Sequence, residues 1–335
     1  MTVELIQGLL LAFALVVILM PAYIRLLRWA GFGKQIREEG PESHLVKTGT
    51  PTMGGLLLIA VILVLFYFLR GLPQRGVIAP LATLALVGLL GAFDDYLNTR
   101  TGEGIRARHK LLWLSVVAGA IAFQVQTTYP QITELDVPFM GPVIVEPWLF
   151  IAFAAFAIIA TSNGVNITDG LDGLAGGTLI LAYVAYLLVA LLNIVPQPDG
   201  TLGNQPNLAL FCALVIGALL GFLWFNVHPA QVFMGDAGAL SLGAALAVTA
   251  LISGQILILP IVGLVFVIET TSDILQIGYY RLTGGRRIFK MAPLHHHFEL
   301  SGWDEEKITL RFWIVGILAA LLGVILFLAS IDRLS

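Results

Sequence analysis

The chain has 335 residues, of which 58% are hydrophobic and 12% are charged, and its formal net charge is −3. Soluble globular proteins contain roughly one-quarter charged residues, so this composition excludes an ordinary soluble domain and predicts a polytopic membrane protein. The single cysteine, Cys212, excludes an intrachain disulfide and a cysteine-based metal site, and we expect no nucleic-acid partner.

Ten apolar stretches approach the roughly 20 residues that a helix needs to cross a bilayer. They cover residues 5–28, 53–69, 77–93, 111–127, 147–162, 174–194, 207–225, 237–253, 256–279 and 310–331. The first has no basic segment before it and is too long for a signal-peptide core, so we interpret it as a retained span. We therefore predict an all-α polytopic membrane protein with about ten transmembrane helices, forming a single domain over residues 1–335.

The lysines and arginines are distributed unequally between the two ends of these spans. Fifteen of the 18 follow the first, third or ninth span, whereas the other side has only Arg70, Arg75 and Arg333. Cytoplasmic loops carry the excess of basic residues, so this pattern predicts that both termini are external. On the external side, residues 129–146 alternate weakly and turn at Met140-Gly141-Pro142, which predicts a short β-hairpin.

The fifth span is short for a membrane helix. Its apolar run from Trp148 to Thr161 corresponds to roughly 21 Å of helix, against a hydrocarbon core of about 30 Å. Either residues 143–145 extend this span, or the loop that begins at Asn163 dips into the membrane. The second arrangement would create a recessed polar cleft at the cytoplasmic face.

Two aspartates lie in that loop, within the sequence NGVNITDGLDGLAGG. Asp169 and Asp172 would share one face if the loop continues into a helix. An acid beside lipid must be paired, hydrogen-bonded or bound to a metal, so both are candidate functional residues. The alternative is an ordinary polar loop between two membrane helices.

Another pair of acids, Asp94 and Asp95, ends the third span in the sequence FDDYLN. Adjacent carboxylates repel each other unless a cation neutralises them. The candidate cations are Mg²⁺, which prefers oxygen ligands, and four nearby basic residues, Arg100, Arg106, Arg108 and Lys110. The alternative is that these acids only terminate a helix at the membrane interface.

Further polar residues are predicted at the same cytoplasmic ends. Asp236 begins the eighth span, where it could cap the helix or bind Mg²⁺ beside phosphates. In the ninth span Glu269, Asp273 and Gln276 repeat at i, i+4 and i+7, which predicts one polar stripe. This stripe is either solvated or faces a cleft.

All six histidines fall on the predicted cytoplasmic side, which favours chemistry between a soluble substrate and a membrane component over transport. Three of them, His295, His296 and His297, are consecutive after Pro293. Neighbouring side chains diverge on a helix or strand, so these imidazoles suit donation to phosphate or sugar oxygens better than chelation of one zinc ion.

Five motifs occur in a fixed order: KTGTPTMGG at 47–55, FDDY at 93–96, NITDGLDGL at 166–174, FNVHPAQVFMGD at 225–236 and PLHHHFE at 293–299. Together they resemble the bacterial phospho-N-acetylmuramoyl-pentapeptide transferases, a family of polyprenyl-phosphate phosphoglycosyl transferases. The resemblance spans nearly the whole chain, and PTMGG and HHHFE are its most specific parts.

This resemblance implies ten transmembrane helices and a cytoplasmic active-site cleft in the cytoplasmic (inner) membrane of a bacterium. It implies transfer of phospho-MurNAc-pentapeptide from UDP-MurNAc-pentapeptide to undecaprenyl phosphate, giving lipid I and UMP, with Mg²⁺ required. This is the first membrane step of peptidoglycan synthesis, and the family also suggests a homodimer. Because two anions must meet, we expect catalysis to consist mainly of charge neutralisation and in-line positioning.

By motif position, the resemblance implies that Asp236 is the Mg²⁺ ligand. Asp94 or Asp95 would be a base toward the lipid phosphate, or the nucleophile of a covalent route. Since a phosphate monoester is already largely ionised at pH 7, positioning of the phosphate is an equally good role. His295, His296 and His297 would be further required residues in the cleft. The implied substrate-binding positions are Lys47, Thr52, Asn166, Asp169, Leu171, Asp172, Asn226, Phe233 and Gln276, with Phe233 able to stack on uracil.

Two positions depart from the family pattern. Asn98 stands where lysine is usual, and Ala239 stands where serine is usual. The first change removes a charge that Arg100 or Lys110 could replace. The nearest alternative function is transfer of a phospho-N-acetylhexosamine from its UDP carrier to the same lipid, against which HHHFE argues. A transporter or flippase is less favoured, because the acids lie on one side.

Overall fold

Twelve helices and four short strands form the part of the chain that the computed structural model describes, which is residues 2–33, 47, 49–71, 76–137, 140–196 and 202–331. The helices are α1 (Thr2–Trp29), α2 (Gly54–Arg70), α3 (Ile78–Thr101), α4 (Ala107–Thr128), α5 (Pro147–Thr168), α6 (Leu174–Leu192), α7 (Pro206–Asn226), α8 (Gly235–Ile252), α9 (Leu259–Val262), α10 (Leu264–Leu282), α11 (Leu294–Glu299) and α12 (Glu305–Ile331). The strands are β1 (Glu134–Val137), β2 (Gly141–Ile144), β3 (Val195–Pro196) and β4 (Leu202–Gly203), which pair as two antiparallel hairpins.

Eight of the described helices, α1, α3 to α8 and α12, are long and apolar enough to cross a membrane. The helix α2 is also apolar but has 17 residues. A ninth span is broken, because α9 and α10 meet at an angle of 77°. The chain is therefore an all-α, multi-pass membrane protein, as the sequence predicts. The ninth span predicted over 256–279 is present but is not one straight helix. The backbone leaves the helical region at Gly263 (φ −94°, ψ 28°), and glycine disfavours a helical conformation.

The fifth span is longer than its apolar run. The helix α5 has 22 residues, which is roughly 33 Å and enough for the bilayer core. Both explanations offered for its shortness are wrong, because residues 143 and 144 belong to β2 and the helix continues through Asn163 to Thr168. The predicted hairpin over residues 129–146 is confirmed, although Gly141 and Pro142 begin its second strand rather than form its turn.

The helix α8 lies at the centre of the bundle, where every residue from Ala237 to Ile252 is buried. It packs mainly against α3 and α5, and also against α2. A Cβ atom on Gly55 would lie 2.2 Å from the Cα of Gly238, so α2 and α8 cross with no room for a side chain. Helix packing alone therefore explains why the PTMGG motif has a glycine at position 55, without reference to any ligand.

Because α8 ends inside the protein, its last carbonyl groups need partners other than water. The side-chain amide of Gln205 donates to the carbonyl of Ile252 at 2.8 Å, and that of Asn193 donates to Ser253 at 2.9 Å. These groups come from the segments on either side of the hairpin β3–β4. The buried C-terminal end of α8 is thus satisfied by its neighbours, and the N-terminal end lies in the region described next.

Candidate active site

The polar residues singled out in the sequence lie at one end of the bundle. Successive helices alternate in direction, so the C-terminal ends of α3, α5 and α7 meet the N-terminal ends of α2, α4, α6, α8 and α12. The hairpin β1–β2 connects α4 to α5 at the opposite end. Of the six histidines, His44 lies outside the described residues.

A polar pocket of about 150 Å³ opens among these helix ends. It is lined by Gly33, Thr52, Asp95, Asn98, Thr99, Asn166, Asp169, Gly235 and Asp236. Three carboxylates and two side-chain amides therefore face one small space. Five of the residues implied by the family motifs line it together, and so does Asn98, the position where lysine is usual.

Asp95 closes the N-terminal end of α8. Its Oδ1 accepts the backbone N–H of Asp236 and its Oδ2 accepts that of Ala237, both at 3.1 Å. A carboxylate at this position satisfies two otherwise unpaired donors and is favoured by the helix dipole. The cap suggested for Asp236 is thus wrong, since α8 is capped from α3 rather than by its own residue.

Lys110 links two of the acids. Its Nζ lies 2.5 Å from Oδ2 of Asp94 and also donates to Oδ2 of Asp236. The amide of Asn166 donates to the other oxygen of Asp236 at 2.8 Å, and Asp94 also accepts the backbone N–H of Ile105. All three acids at the ends of α3 and α8 are therefore held in a network that includes one cation.

The four basic residues considered for neutralising these acids take different positions. Lys110 contacts them directly, whereas the Arg100 guanidinium lies 5.9 Å from the ring centroids of both Phe32 and Tyr96. Arg106 and Arg108 are exposed at the start of α4. Of the two replacements suggested for the missing lysine at position 98, Lys110 is the one that contacts the acids.

A second charged cluster surrounds Asp172. Lys47 donates to Oδ1 of Asp172 at 2.8 Å and to Oε1 of Glu305 at 2.6 Å. The Nδ1 of His228 lies 3.0 Å from the other oxygen of Asp172, which also accepts the backbone N–H of Ala230 at 3.0 Å. Two implied substrate-binding residues, Lys47 and Asp172, are thus paired with each other.

The ligand atoms of Asp172, His228 and Glu305 lie within 4.8 Å of one another, a spacing that could hold a metal ion. One of these three donors is an imidazole nitrogen, which suits Mg²⁺ less well than oxygen, and the Lys47 ammonium contacts both carboxylates. We therefore interpret this cluster as an ion-pair network. The pocket at Asp236 offers oxygen donors, which is the donor set that Mg²⁺ prefers.

The turn at residues 169–173, between α5 and α6, is fixed from several sides. Asn226 accepts the N–H of Gly173 at 3.1 Å and donates to the carbonyl of Val232 at 2.9 Å. Leu171 is buried in an apolar cluster with residues of α6, α10 and α12. Asp169 and Asp172 would share a face only if the loop continued into a helix, and it does not: they lie in a turn, where Asp169 lines the pocket and Asp172 binds Lys47.

The three consecutive histidines diverge less than the sequence predicts, because the rings of His295 and His296 lie 4.1 Å apart in an edge-to-face contact. Each imidazole uses Nδ1 with its own partner: His295 with Glu269 at 2.9 Å, His296 with Glu299 at 2.6 Å, and His297 with the backbone N–H of Lys290 at 3.1 Å. All three lie on the short helix α11. Each Nδ1 atom is therefore bound to a different part of the protein.

Two residues of the polar stripe of α10, Glu269 and Gln276, face protein, whereas Asp273 is partly exposed. Glu269 is buried, and the side chain of Gln276 binds the backbone of Ile288 and Phe289 through three hydrogen bonds of 3.0 to 3.1 Å. Gln276 therefore holds the segment that leads from α10 to α11. Phe233 is held beside the PTMGG motif, since its N–H donates to the carbonyl of Pro51 at 2.8 Å.

Comparison with known proteins assigns the family. Residues 77–254 match glycosyl transferase family 4. Three curated relatives, each called phospho-N-acetylmuramoyl-pentapeptide-transferase, match over nearly the whole chain. The Desulfotalea psychrophila protein is 43% identical over 325 residues, covering 93% of this chain and 89% of that protein. The Chloroflexus aurantiacus protein is 44% identical over 331 residues (95% and 88%), and the Listeria innocua protein is 40% identical over 317 (93% and 95%). This chain belongs to the phospho-N-acetylmuramoyl-pentapeptide-transferase family.

Within this transferase, the motif residues separate into three neighbouring groups: the pocket at Asp236, the ion pairs around Asp172, and the histidines of α11. Four residues that contribute to these groups were absent from the predicted site: Lys110, His228, Glu269 and Glu305. Lys110 and Glu269 were noted only as a nearby cation and as part of a stripe. His228 lies inside a recognised motif, so its position was a usable signal, whereas Glu305 lies in no motif.

Proposed function

We propose that this transferase moves phospho-MurNAc-pentapeptide from UDP-MurNAc-pentapeptide to undecaprenyl phosphate, with lipid I and UMP as products. The support is the name shared by relatives that are 40% to 44% identical over almost the whole chain. The observation that carries the proposal is the acid-lined pocket at one end of the membrane helices, where a water-soluble nucleotide and a lipid phosphate can meet.

The proposed chemistry is a direct displacement. An oxygen of the lipid phosphate bonds to the sugar-linked phosphorus of the donor, and the bond between that phosphorus and the bridging oxygen of UMP breaks. The lipid phosphate enters as a dianion near pH 7 and UMP leaves as one, so no proton has to move. This balance removes the need for a general base.

The contacts of the two aspartates at the end of α3 agree with such a displacement. Asp95 uses both oxygens to cap α8, and Asp94 is bound by Lys110 and by the backbone of Ile105. We propose that Asp95 positions Asp236, and that Asp94 positions the Lys110 ammonium beside the pocket. Both acids then act through their neighbours, without a covalent intermediate.

We also propose that the enzyme depends on Mg²⁺ held by Asp236. The pocket fits such an ion, because Asp95, Asp169, Asn166 and Thr52 surround Asp236 with further oxygen atoms. When bound, Mg²⁺ supplies charge neutralisation for the diphosphate of the donor. Lys110, already in contact with Asp236, would add a second positive charge on the same side.

The remaining motif residues receive roles in binding the donor. We propose that Phe233, beside the pocket's PTMGG segment, stacks on uracil, and that Lys47 reaches the donor from its pair with Asp172. We place this end of the bundle in the cytoplasm of a bacterial cell, where UDP-linked sugars are made available. A homodimer, implied by the family alone, stays a prediction.

The deciding experiment measures UMP release by the purified protein in detergent with undecaprenyl phosphate and Mg²⁺. We expect release from UDP-MurNAc-pentapeptide but not from UDP-N-acetylglucosamine, and loss of release with a chelator or with Asp236→Asn. Release from UDP-N-acetylglucosamine alone would assign the sister reaction. Absence of UMP with either donor would contradict a transferase function.

A further inference from the structure

Glu269 of α10 and His295 of α11 form a pair that is completely enclosed, with exposed fractions of 0% and 1%. A carboxylate can only accept, so the Nδ1–H of His295 donates to Oε2 of Glu269 at 2.9 Å. The backbone N–H of His295 points at the same oxygen from 3.5 Å. Both residues are thereby fixed relative to each other, and the tautomer of the imidazole is set by this bond.

The outer atoms of the pair have no hydrogen-bond partner among the described residues. Oε1 of Glu269 and Nε2 of His295 are both buried and unpaired. Buried polar atoms are normally hydrogen-bonded, whereas Nε2 instead makes a close contact with the backbone of the turn at residues 169–173.

Nε2 of His295 rests against Gly170, in the turn at residues 169–173. A Cβ atom built on Gly170 would lie 2.2 Å from Nε2 and 2.7 Å from the adjacent ring carbon. The imidazole therefore occupies the space that any other residue type at position 170 would need. Gly170 of the NITDGLDGL motif and His295 of the HHHFE motif therefore contact each other directly.

The turn that rests on this imidazole carries both acids of the loop. Asp169 lines the pocket beside Asp236, and Asp172 binds Lys47. On its other side the turn is held by Asn226 of α7 and by Trp313 of α12, whose indole N–H donates to the carbonyl of Gly173 at 3.3 Å. The imidazole completes this support from the α10–α11 side.

We infer that Glu269 and His295 are a positioning pair, in which Glu269 fixes the imidazole and the imidazole sets the place of Gly170 and hence of Asp169 in the pocket. His295 then acts through the turn, unlike the direct donation to substrate oxygens expected from the sequence. This inference rests on the proposed function, because it assigns the pair a part in that reaction.

A double-mutant cycle tests the contact. In Gly170→Ala the new methyl group meets the imidazole, and we expect kcat for UMP release to fall at least about tenfold, since small misplacements at a reacting centre have large effects. In a His295→Ala background the same glycine substitution should change kcat less than about threefold, because the obstructing ring is absent. Gly119→Ala is the matched control, since a Cβ there meets nothing within 4 Å.

A second pair of variants covers the case in which Gly170→Ala does not fold. Glu269→Gln keeps an oxygen that accepts the Nδ1–H of His295, so it should retain most of kcat, whereas Glu269→Leu should lose as much as His295→Ala. We expect KM for the lipid phosphate to stay within about threefold in each variant, because the inferred pair acts on the turn and both residues are buried.

The outcomes separate this inference from the proposed function. Equal cost of Gly170→Ala with and without the imidazole, or equal loss in Glu269→Gln and Glu269→Leu, would overturn the positioning pair while leaving the transferase function intact. A wild-type protein that releases no UMP would overturn the proposed function, and the inferred role in that reaction would fall with it.

Discussion

At the scale of single residues, the two adjacent acids of FDDY have different partners. Consecutive side chains on a helix point about 100° apart, so one α3 helix directs Asp95 to the start of α8 and Asp94 to Lys110 of α4. The sequence presents them either as a repelling pair that requires a cation or as acids that end a helix. Their separate contacts follow from the packing of three helices.

Replacing Lys110 tests whether the contacts of this lysine with Asp94 and Asp236 matter for activity. Lys110→Met leaves Asp94 and Asp236 without their shared cation, and we expect UMP release to fall about 100-fold, as when one stabilising charge partner is removed from an active site. Arg108→Met, an exposed change two residues earlier on α4, should leave the rate near that of wild type. A Lys110→Met rate within threefold of wild type would contradict the role given to this cation.

Some residues of the site can be predicted from the sequence, and others cannot. Thr52, Asn166, Asp169 and Asp236 lie in recognisable motifs, and the structure places all four in one pocket. Glu305 could not be found in this way, because an acid in the first turn of a helix is ordinary. Its pairing with Lys47 depends on α12 returning to the same end of the bundle.

At the scale of elements, α8 is organised by contacts that leave no room for side chains. Gly55 of α2 meets Gly238, and a Cβ on Gly91 of α3 would lie 2.3 Å from the carbonyl oxygen of Asp236. These two helices therefore fix α8, and with it Asp236, through backbone contact. The geometry of the pocket is set by the packing of helices as much as by its polar side chains.

Gly55→Ala should accordingly destabilise the protein. The methyl group would overlap the backbone of α8, and we expect a loss of about 1–3 kcal/mol, seen as a lower unfolding temperature in detergent. Gly278→Ala is the comparison, since a Cβ there meets nothing within 4 Å and alanine favours a helix by about 0.5–1 kcal/mol. Equal unfolding temperatures for the two variants would show that α2 and α8 are not in close contact.

Hydropathy predicts most of the helices but not the end of α5 or the break between α9 and α10. The end of α5 was placed too early, because Asn163 and Gly164 interrupt the apolar run although the helix continues. Tertiary packing maintains it there, since Ser162 donates to the carbonyl of Leu240 at 2.8 Å and a Cβ on Gly243 would lie 2.8 Å from the carbonyl oxygen of Thr161. The break at Gly263 was missed for the opposite reason, because apolar residues continue across it.

At the scale of the whole molecule, one continuous apolar core includes side chains from Leu5 in α1 to Phe327 in α12. We propose that the chain is a single domain on this basis. Its charge distribution predicts which end faces the cytoplasm, although Lys34, Arg37, Arg75 and Arg333 lie outside the described residues. The contacts within the bundle do not depend on orientation, so sidedness needs a separate measurement.

Single-cysteine labelling provides that measurement, because the native Cys212 is fully buried and gives little background. Met140 of the hairpin is 82% exposed, and Arg286 is exposed between α10 and α11 at the other end. With an impermeant thiol reagent, Met140→Cys should react in right-side-out vesicles and Arg286→Cys in inverted ones. The reverse pattern would place the pocket outside the cell.

The central position of α8 has a consequence for how the protein is made. Its main neighbours α2, α3 and α5 all precede it in the chain, so a ribosome completes them before α8 is synthesised. Until then Asp95 has no helix N-terminus to cap, and Gly55 and Gly91 face an empty groove. A nascent chain interrupted before residue 235 therefore leaves this groove unfilled and the Asp95 carboxylate without the N–H groups of α8, and quality-control proteases could distinguish unfinished chains from finished ones by these features.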